Sequence, residues 1–255
     1  MKNTAILDKR SLTGPVPDPG FSISNGLVLC MNKPLGWTSA DVVRKVRFRL
    51  QRCWQVKKIK VGHAGTLDPL ATGLLILCIG KATRLATHFQ NEDKEYLAEI
   101  KFGATTPSFD LEHPVDATYP WEHIDKNRLL HVLNEFLGEQ EQIPPVYSAK
   151  VIDGTRAYEL ARQGHAPEMK KNTIQIHALE VTDFSPPCLT LKITCSKGTY
   201  IRSLARDLGE ALGSGAHLVS LHRSGSGLYR AEHALSIEEF EAFFKYTKLF
   251  QIFFV

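Results

Sequence analysis

The chain has 255 residues, of which 43% are hydrophobic and 23% charged, with a formal net charge of +4. These values are ordinary for a globular protein, and a mild basic excess does not by itself identify a partner. The longest apolar run, residues 74–79, is too short for a membrane-spanning helix, which needs ~20 residues. The five cysteines form no C-x-x-C pair and no Cys/His cluster, which excludes a zinc site of the usual spacing and favours reduced thiols in a cytoplasmic protein.

The N-terminal part of the chain contains an arm, a strand and a helix. Residues 1–25 include the run GPVPDPG and predict a flexible N-terminal arm. The apolar residues 26–31 predict a strand. Thr38 and Asp41 are typical of a capping box, and an amphipathic helix follows in which Val42, Val46 and Leu50 recur at helical spacing.

The later elements alternate irregularly between strands and helices. Residues 94–104 alternate apolar and polar side chains, which predicts a strand with Tyr96 on its buried face. Helices are predicted over residues 129–137 and 201–212, and strands over residues 173–181 and 189–195. Ser236 and Glu239 form a second capping box. Because there is no regular βα repeat, the pattern favours an α+β fold with a mixed or antiparallel sheet flanked by helices.

A basic stretch lies between Asp41 and Asp68, an interval without any acidic residue. One interpretation is a phosphate-binding surface, with an affinity that depends on salt concentration. The other is a solvated helix face followed by a lysine-rich loop. Eight fixed cations occupy the interval: Arg44, Lys45, Arg47, Arg49, Arg52, Lys57, Lys58 and Lys60.

The segment around Asp68 is rich in turn-forming residues and leads into the apolar run at residues 74–79. Asp68 precedes Pro69, so its carboxylate is held on a restricted backbone. Taken alone, this aspartate is either a catalytic carboxylate or a structural residue that caps a backbone donor in a turn.

The string GHAGTLDPLATGLL at residues 62–75 resembles the catalytic motif of the TruB family of tRNA pseudouridine synthases, with Asp68 as the active aspartate. Four more segments resemble motifs of that family in the same order. They are NKPLGWTS at residues 32–39, DKEYLAEIKFG at 93–103, the segment at 143–164 that begins IPPVYSAK, and the segment at 195–223 that begins CSKGTYIR.

The resemblance implies a pseudouridine synthase catalytic fold and isomerisation of uridine 55 in the T-loop of tRNA. It assigns Asp68 as nucleophile or base, Arg202 as its ion-pair partner, and Tyr96 to stacking on the flipped base, with proton transfer at C5 as a second role. We expect no metal or cofactor, because the reaction involves no redox change. The further residues expected to bind substrate are His63, Tyr200, Leu221, Lys33, Arg44, Lys58 and Lys60.

The extent of the resemblance suggests how the chain is divided. We expect a catalytic domain over residues 26–244 and a C-terminal tail over residues 245–255. The RNA-binding PUA domain that many family members carry is expected to be absent, because only ~25 residues follow Arg230 and a domain usually needs ~50. The family's Asp-x-x-Gly stretch is replaced here by TTPSFDLEHP at residues 105–114.

Three other functions are compatible with parts of the pattern. A sister synthase would act on another RNA or with a guide RNA, although that branch usually retains a PUA domain. A tRNA-binding folding factor would have an idle active site, which the intact Asp68, Tyr96 and Arg202 argue against. An aspartyl phosphatase would need a D-x-D pair, whereas residue 70 is Leu. The sequence therefore predicts a monomeric cytoplasmic enzyme that acts on the T-arm of tRNA.

Overall fold

The computed structural model describes residues 4–12, 26–148, 150–152, 154–163 and 167–250. These residues fall into two compact units, the first drawn from Met1–Glu92 and His222–Val255 and the second from Asp93–Leu221. The catalytic domain predicted over residues 26–244 therefore contributes to both units.

The elements up to residue 91 all belong to the first unit. In chain order they are β1 (Ala5–Leu7), α1 (Lys9–Leu12), β2 (Leu27–Lys33), α2 (Ser39–Cys53), β3 (Val61–His63), β4 (Ala71–Ile79), a 3-10 helix (Gly80–Leu85) and α3 (Ala86–Asn91).

The next elements all belong to the second unit. They are β5 (Lys94–Phe102), β6 (Ala104–Thr105), β7 (Ala117–Thr118), α4 (Lys126–Glu135), β8 (Gly138–Gln142), β9 (Val151–Ile152), β10 (Thr155–Arg156), α5 (Ala157–Arg162), β11 (Asn172–Ser185), β12 (Cys188–Cys195) and α6 (Ile201–Ala211).

The next strand along the chain begins in the second unit and ends in the first. The remaining elements are that strand, β13 (Ala216–Ser226), then β14 (Tyr229–Arg230), a 3-10 helix (Ala231–His233) and α7 (Ile237–Phe250).

The first unit has a mixed sheet in which β4 is the central strand. The strand order is β1-β2-β4-β13, while β3 also pairs with β4 and β14 pairs with β13. β1 runs parallel to β2, and β2 runs antiparallel to β4. Helix α2 begins at the predicted capping box, in which the side chain of Thr38 accepts from the backbone N–H of Asp41 and Asp41 accepts in return from Thr38.

Strand β4 is buried on both faces, which explains its continuous apolar sequence. Successive side chains of a strand point to opposite faces, so alternate residues enter two separate apolar clusters. One cluster is completed by α2 and α7, and the other by Phe89 of α3 and Ala231. The β4 members are Leu75, Leu77 and Ile79 in the first cluster and Leu74, Ile76 and Cys78 in the second.

The second unit is built on the antiparallel strands β5-β12-β11-β8, with the first part of β13 beside β5. The predicted alternation of β5 is confirmed, because Tyr96, Ala98, Ile100 and Phe102 are buried while Leu97 is 43% exposed. Helix α6 packs against β5 and α4. The predicted α+β fold with a mixed sheet flanked by helices is confirmed.

Two of the predicted segments contain regular secondary structure, while the predicted division of the chain stays a prediction. Part of the supposed flexible arm forms β1 and α1, and β1 buries Leu7 beside β2. A three-residue strand is too short to show a readable alternation, so its sequence gave no signal. The supposed tail from residue 245 continues α7 to Phe250. Residues 1–3, 13–25 and 251–255 of these two predicted segments lie outside the described residues.

Candidate active site

Asp68 lies in a loop between β3 and β4, which we call the Asp68 loop (residues 64–70). The loop begins where Ala64 N–H donates to Ile76 O at 2.9 Å and ends in a turn where Ala71 N–H donates to Asp68 O at 3.1 Å. The Asp68 side chain is half-buried. Between these two points the backbone forms no strand, so its polar groups need other partners.

Ser39 supplies one set of partners from the first turn of α2. Its side chain is 2% exposed, and its hydroxyl accepts from Leu67 N–H at 2.8 Å and donates to Leu67 O at 3.1 Å. One buried hydroxyl therefore satisfies both backbone groups of the residue that precedes Asp68. The capping box fixes where α2 begins, and so fixes the position of this hydroxyl.

Lys33 holds the far end of the loop. Its ammonium is fully buried and donates to Pro34 O at 3.0 Å, Trp37 O at 2.5 Å and Pro69 O at 3.3 Å. Burial lowers its pKa to about 8, while the nearby charge of Asp68 acts in the opposite direction. The side chain has 0% exposure and directs its donors to the protein's own carbonyls, so this geometry gives no support to the prediction that Lys33 binds substrate, which stays a prediction.

Arg223 on β13 holds the middle of the loop and the start of β4. It is 2% exposed, and its guanidinium donates to Leu74 O at 2.7 Å and Gly65 O at 3.1 Å, with a longer contact to Thr66 O at 3.5 Å. The planar fork of a guanidinium lets one side chain reach carbonyls on two segments. Gly73 is required at this contact, since a Cβ there would lie 2.4 Å from Arg223 O.

His222, the neighbour of Arg223, makes a second contact with β4. Its Nδ1 lies 2.9 Å from the hydroxyl of Thr72. Burial lowers the pKa of His222, which favours the neutral imidazole.

Ser39, Lys33 and Arg223 together form what we call the loop clamp. Asp68 is therefore presented on a loop whose backbone is held from three sides.

Arg202 lies on α6 in the second unit and is 3% exposed. Its guanidinium donates to Ser108 O at 3.2 Å and Tyr147 O at 3.0 Å, and its Nε lies 3.6 Å from the Asp110 carboxylate. Asp110 is itself buried, with 4% exposure. Two carbonyls and a carboxylate thus fix the orientation of a buried cation.

The other predicted site residues of the second unit lie on β5, at the start of α6 and on β13. Tyr96 is 8% exposed on β5, opposite Ile193 of β12. Tyr200 is the N-cap of α6, and its backbone N–H and carbonyl both bond the side chain of Gln142. Leu221 is 9% exposed on β13. In the first unit, half-buried His63 ends β3 opposite Leu77.

The basic stretch divides into cations used by the fold and cations directed to solvent. Arg44 pairs with Asp41, and Lys45 lies 2.6 Å from the Glu241 carboxylate. Arg47 donates to Val61 O at 3.1 Å and Arg49 to Glu241 O at 3.2 Å. Arg52 stacks on Phe48. The remaining three lysines are exposed, and their ammonium groups have no hydrogen bond or ion pair within the described residues: Lys57, Lys58 and Lys60.

Two family models match consecutive parts of the chain. The TruB family pseudouridylate synthase N-terminal domain matches residues 51–201, and the tRNA pseudouridylate synthase B C-terminal domain matches residues 202–249. The chain belongs to the TruB family. The C-terminal match begins at Arg202, and the predicted absence of a PUA domain stays a prediction.

Curated relatives agree with this assignment to the TruB family. A protein named tRNA pseudouridine synthase B from Parabacteroides distasonis is 53% identical over 218 residues, which cover 86% of this chain and 93% of the relative. Its namesake from Clostridium kluyveri is 43% identical over 83% of this chain and 71% of the relative.

Solved structures confirm the predicted pseudouridine synthase fold. A chain of a Cbf5-Nop10-Gar1 complex superposes with a TM-score of 0.67 at 26% identity, covering 95% of this chain and 64% of that chain. A chain of the archaeal box H/ACA sRNP Nop10-Cbf5 complex superposes with a TM-score of 0.63 at 24% identity, covering 92% and 58%.

Sequence reasoning missed three residues that hold predicted site residues: Ser39 and Arg223, which hold the Asp68 loop in the first unit, and Asp110, which contacts Arg202 in the second unit. All three are polar and nearly fully buried, with exposures of 2%, 2% and 4%. Ser39 and Arg223 lie inside segments that resemble family motifs, and Asp110 lies in the stretch that departs from them. Their partners are distant in sequence, so spacing alone carried no signal for the contacts.

The loop clamp predicts a large loss of stability for Arg223→Met. The substitution keeps much of the side-chain volume but leaves the carbonyls of Leu74 and Gly65 buried without donors, which should cost about 3 kcal/mol. Arg223→Lys should cost less, because one donor remains. Urea unfolding measures the loss. Arg230→Met is the matched control, since Arg230 also donates to two carbonyls but in a partly exposed turn, and a loss no larger than that of the control would contradict the clamp.

The lowered pKa of Lys33 predicts a pH-dependent stability. The folded protein releases this proton near pH 8, whereas the unfolded chain keeps it to about its ordinary pKa of 10.5. Unfolding therefore takes up a proton between these values, and stability rises with pH across the window, by at most about 1.4 kcal/mol per pH unit.

The measurement compares wild type with Lys33→Met by chemical denaturation from pH 7 to pH 10. The wild type should gain free energy of unfolding relative to the variant above pH 8. Lys101→Met, at an exposed lysine of β5, serves as control and should follow the wild-type profile. Parallel profiles for wild type and Lys33→Met would contradict the assignment.

Proposed function

We propose that this chain isomerises uridine 55 in the T-loop of tRNA to pseudouridine, with Asp68 as its catalytic carboxylate. The observation that carries the proposal is the position of Asp68, half-buried on a loop that the clamp residues Ser39, Lys33 and Arg223 hold from within the core. Membership of the TruB family supports the reaction. The name of the relatives at 43–54% identity, tRNA pseudouridine synthase B, supports the substrate.

The reaction needs a carboxylate but no external reagent. The N1–C1′ bond of the nucleoside breaks, the base turns, and a C5–C1′ bond forms. C5 loses its proton and N1 gains one, so substrate and product have the same atoms and oxidation level. Asp68 acts in the ionised form as nucleophile or base at the reacting nucleoside. A backbone held in place favours catalysis by Asp68, because a displacement of the reacting group by 1 Å can lower the rate by about 10²-fold.

Arg202 is the proposed ion-pair partner of Asp68. A guanidinium stays charged at any physiological pH, and an adjacent cation favours the ionised form of a carboxylate. The support for this role is that Arg202 is buried and is oriented by the carbonyls of Ser108 and Tyr147. Its further contact with Asp110 is compatible with a guanidinium that serves two carboxylates.

Tyr96, Tyr200, Leu221 and His63 are proposed to receive the flipped uridine. A base leaving its stack in a folded loop costs a few kcal/mol, and an aromatic platform returns about 1–3 kcal/mol. Tyr96 supplies that platform and, in its second proposed role, transfers a proton at C5. Its place on a strand of a regular antiparallel pair supports a rigid ring position.

Arg44, Lys58 and Lys60 are proposed to contact RNA phosphates. The support is strongest for Lys58 and Lys60, which are exposed, while Arg44 shares its charge with Asp41. Lys33 has the weakest support as a substrate contact, because its ammonium is buried and bonded to backbone carbonyls.

A guide-RNA sister enzyme is the closest alternative. Its support is the structural likeness to a chain of the Cbf5-Nop10-Gar1 complex, which is 26% identical in sequence. The chain is 53% identical to a tRNA pseudouridine synthase B. The comparison favours a tRNA substrate without a guide.

We also propose that the protein works as a monomer in the cytoplasm. All five cysteines are free, as expected in a reducing compartment. Burial raises the pKa of the Cys30 and Cys195 thiols to about 12, which makes them packing residues rather than reactive groups.

The catalytic role predicts complete loss of activity for Asp68→Asn. Asparagine is nearly isosteric and keeps a side-chain acceptor for turn capping, but it is neither a carboxylate nucleophile nor a base. Pseudouridine formation in tRNA should vanish, while the melting temperature and tRNA affinity stay close to wild type. The measurement is mapping of pseudouridine in tRNA incubated with purified protein.

A second variant controls for the effect of replacing any carboxylate by an amide. Asp116→Asn changes another carboxylate, exposed and bonded to Thr105, and should retain full activity. Measurable turnover by Asp68→Asn, after excluding deamidation back to aspartate, would show that the carboxylate is not essential.

The exposed lysines predict a salt-dependent affinity for tRNA. The logarithm of the affinity should fall linearly with the logarithm of the salt concentration, and Lys58→Glu and Lys60→Glu should each reduce the slope by about one. Lys126→Glu is the matched control, because this exposed lysine begins α4, where a glutamate is tolerated. An unchanged slope in both loop variants would remove these lysines from the interface.

A further inference from the structure

Phe109 has an unusual backbone conformation within the second unit. Its φ is +62°, in the left-handed region, which a residue with a Cβ rarely adopts and which glycine adopts freely. Asn and Asp sometimes occupy this region because a short polar side chain bonds locally, but phenylalanine has no such group. Some other contact must therefore maintain the conformation.

The phenyl ring is held by a cation from α6. The guanidinium carbon of Arg206 lies 4.8 Å from the centre of the Phe109 ring, within the range of a cation–π interaction. Arg206 is itself fixed, because its Nε donates to Asp207 at 2.7 Å and its Nη2 to Ile143 O at 3.2 Å. The backbone of Phe109 is anchored as well, since its carbonyl accepts from Leu218 N–H at 2.9 Å.

The residues on either side of Phe109 both contact Arg202. Ser108 O accepts from Arg202 Nη1 at 3.2 Å, and the Asp110 carboxylate lies 3.6 Å from Arg202 Nε. The left-handed turn at Phe109 brings the preceding carbonyl and the following carboxylate to one guanidinium. Arg202 and Arg206 are four residues apart on α6, so they lie on the same helix face.

We propose that Phe109 is a positioning residue for Arg202. Its ring, stacked on Arg206, holds the left-handed turn that aims Ser108 O and Asp110 at the Arg202 guanidinium. Phe109 touches no reacting atom and acts only through Arg202. The consequence for catalysis rests on the proposed function, in which Arg202 partners Asp68. Phe109 lies in the stretch at residues 105–114, outside the five segments that resemble family motifs.

The test compares Phe109→Ala with Phe109→Gly in the full-length protein. Alanine removes the ring but still has a Cβ that disfavours positive φ, so the turn at residue 109 should relax. We therefore expect kcat to fall by about tenfold to a hundredfold. Glycine also loses the ring but adopts positive φ without strain. It should recover kcat to within about fivefold of wild type, which corresponds to the loss of a cation–π contact alone. The dissociation constant for tRNA should stay unchanged in both variants.

Matched controls separate this effect from loss of an aromatic side chain. Phe136 is half-buried in the same unit with an ordinary φ of −88°. Phe136→Ala should therefore keep wild-type kcat, and Phe136→Gly should show no higher kcat than Phe136→Ala. If Phe109→Ala does not fold, Arg206→Lys is the second variant. It keeps the charge but loses the planar face, and kcat should again fall with tRNA affinity unchanged.

Three outcomes would overturn the inference. Wild-type kcat in Phe109→Ala, equal losses in Phe109→Ala and Phe109→Gly, or wild-type kcat in Arg206→Lys would each show that the ring does not hold the turn for Arg202. Failure of the proposed function gives a different result, because then wild-type protein forms no pseudouridine in tRNA at all.

Discussion

Buried donors beneath a loop that forms no strand are the constraint on which the site depends. The Asp68 loop contains backbone carbonyls that no neighbouring strand can satisfy, and a buried carbonyl without a donor costs about 1–3 kcal/mol. Ser39, Lys33 and Arg223 supply the donors, and each is at most 2% exposed. The mixed sheet of the first unit, the start of α2 and the path of β13 all have to be in place before these three side chains reach the loop.

Burying the Lys33 ammonium is energetically unfavourable, but the buried ammonium fixes the position of the Asp68 loop. Burying Lys33 lowers its pKa to about 8, which means that the fold disfavours its charged form. Two compensations keep the cation in place: its three bonds to carbonyl oxygens and the attraction of Asp68. A core of apolar residues alone would be less costly, but it would leave the loop carbonyls without partners and the Asp68 carboxylate on a backbone that nothing holds.

Much of the fold could be predicted from the sequence because its signals are local. The capping boxes at Thr38 and Ser236 and the alternation around Tyr96 each depend on residues within a few positions of one another, and all three were confirmed. The clamp could not be predicted in this way, since Arg223 bonds Leu74 across a separation of 149 residues. A motif resemblance identified Asp68 without saying what holds it. The same limit applies to Lys33, because a lysine in a motif looks the same in sequence whether its ammonium faces solvent or carbonyls.

The basic stretch shows why a count of charges is a poor guide to phosphate contacts. Its interval has no acidic residue in sequence, yet Arg44 pairs with Asp41 just before it, and groups from α7 and β3 reach Lys45, Arg47 and Arg49. Helix α2 thereby uses its cations to attach itself to α7 and β3, and an arginine that donates to a buried carbonyl has fewer donors left for RNA. Lys57, Lys58 and Lys60 follow the helix, on a segment without regular structure between α2 and β3. That segment leads directly into β3, the strand before the Asp68 loop, so only a short stretch of chain separates these three lysines from Asp68.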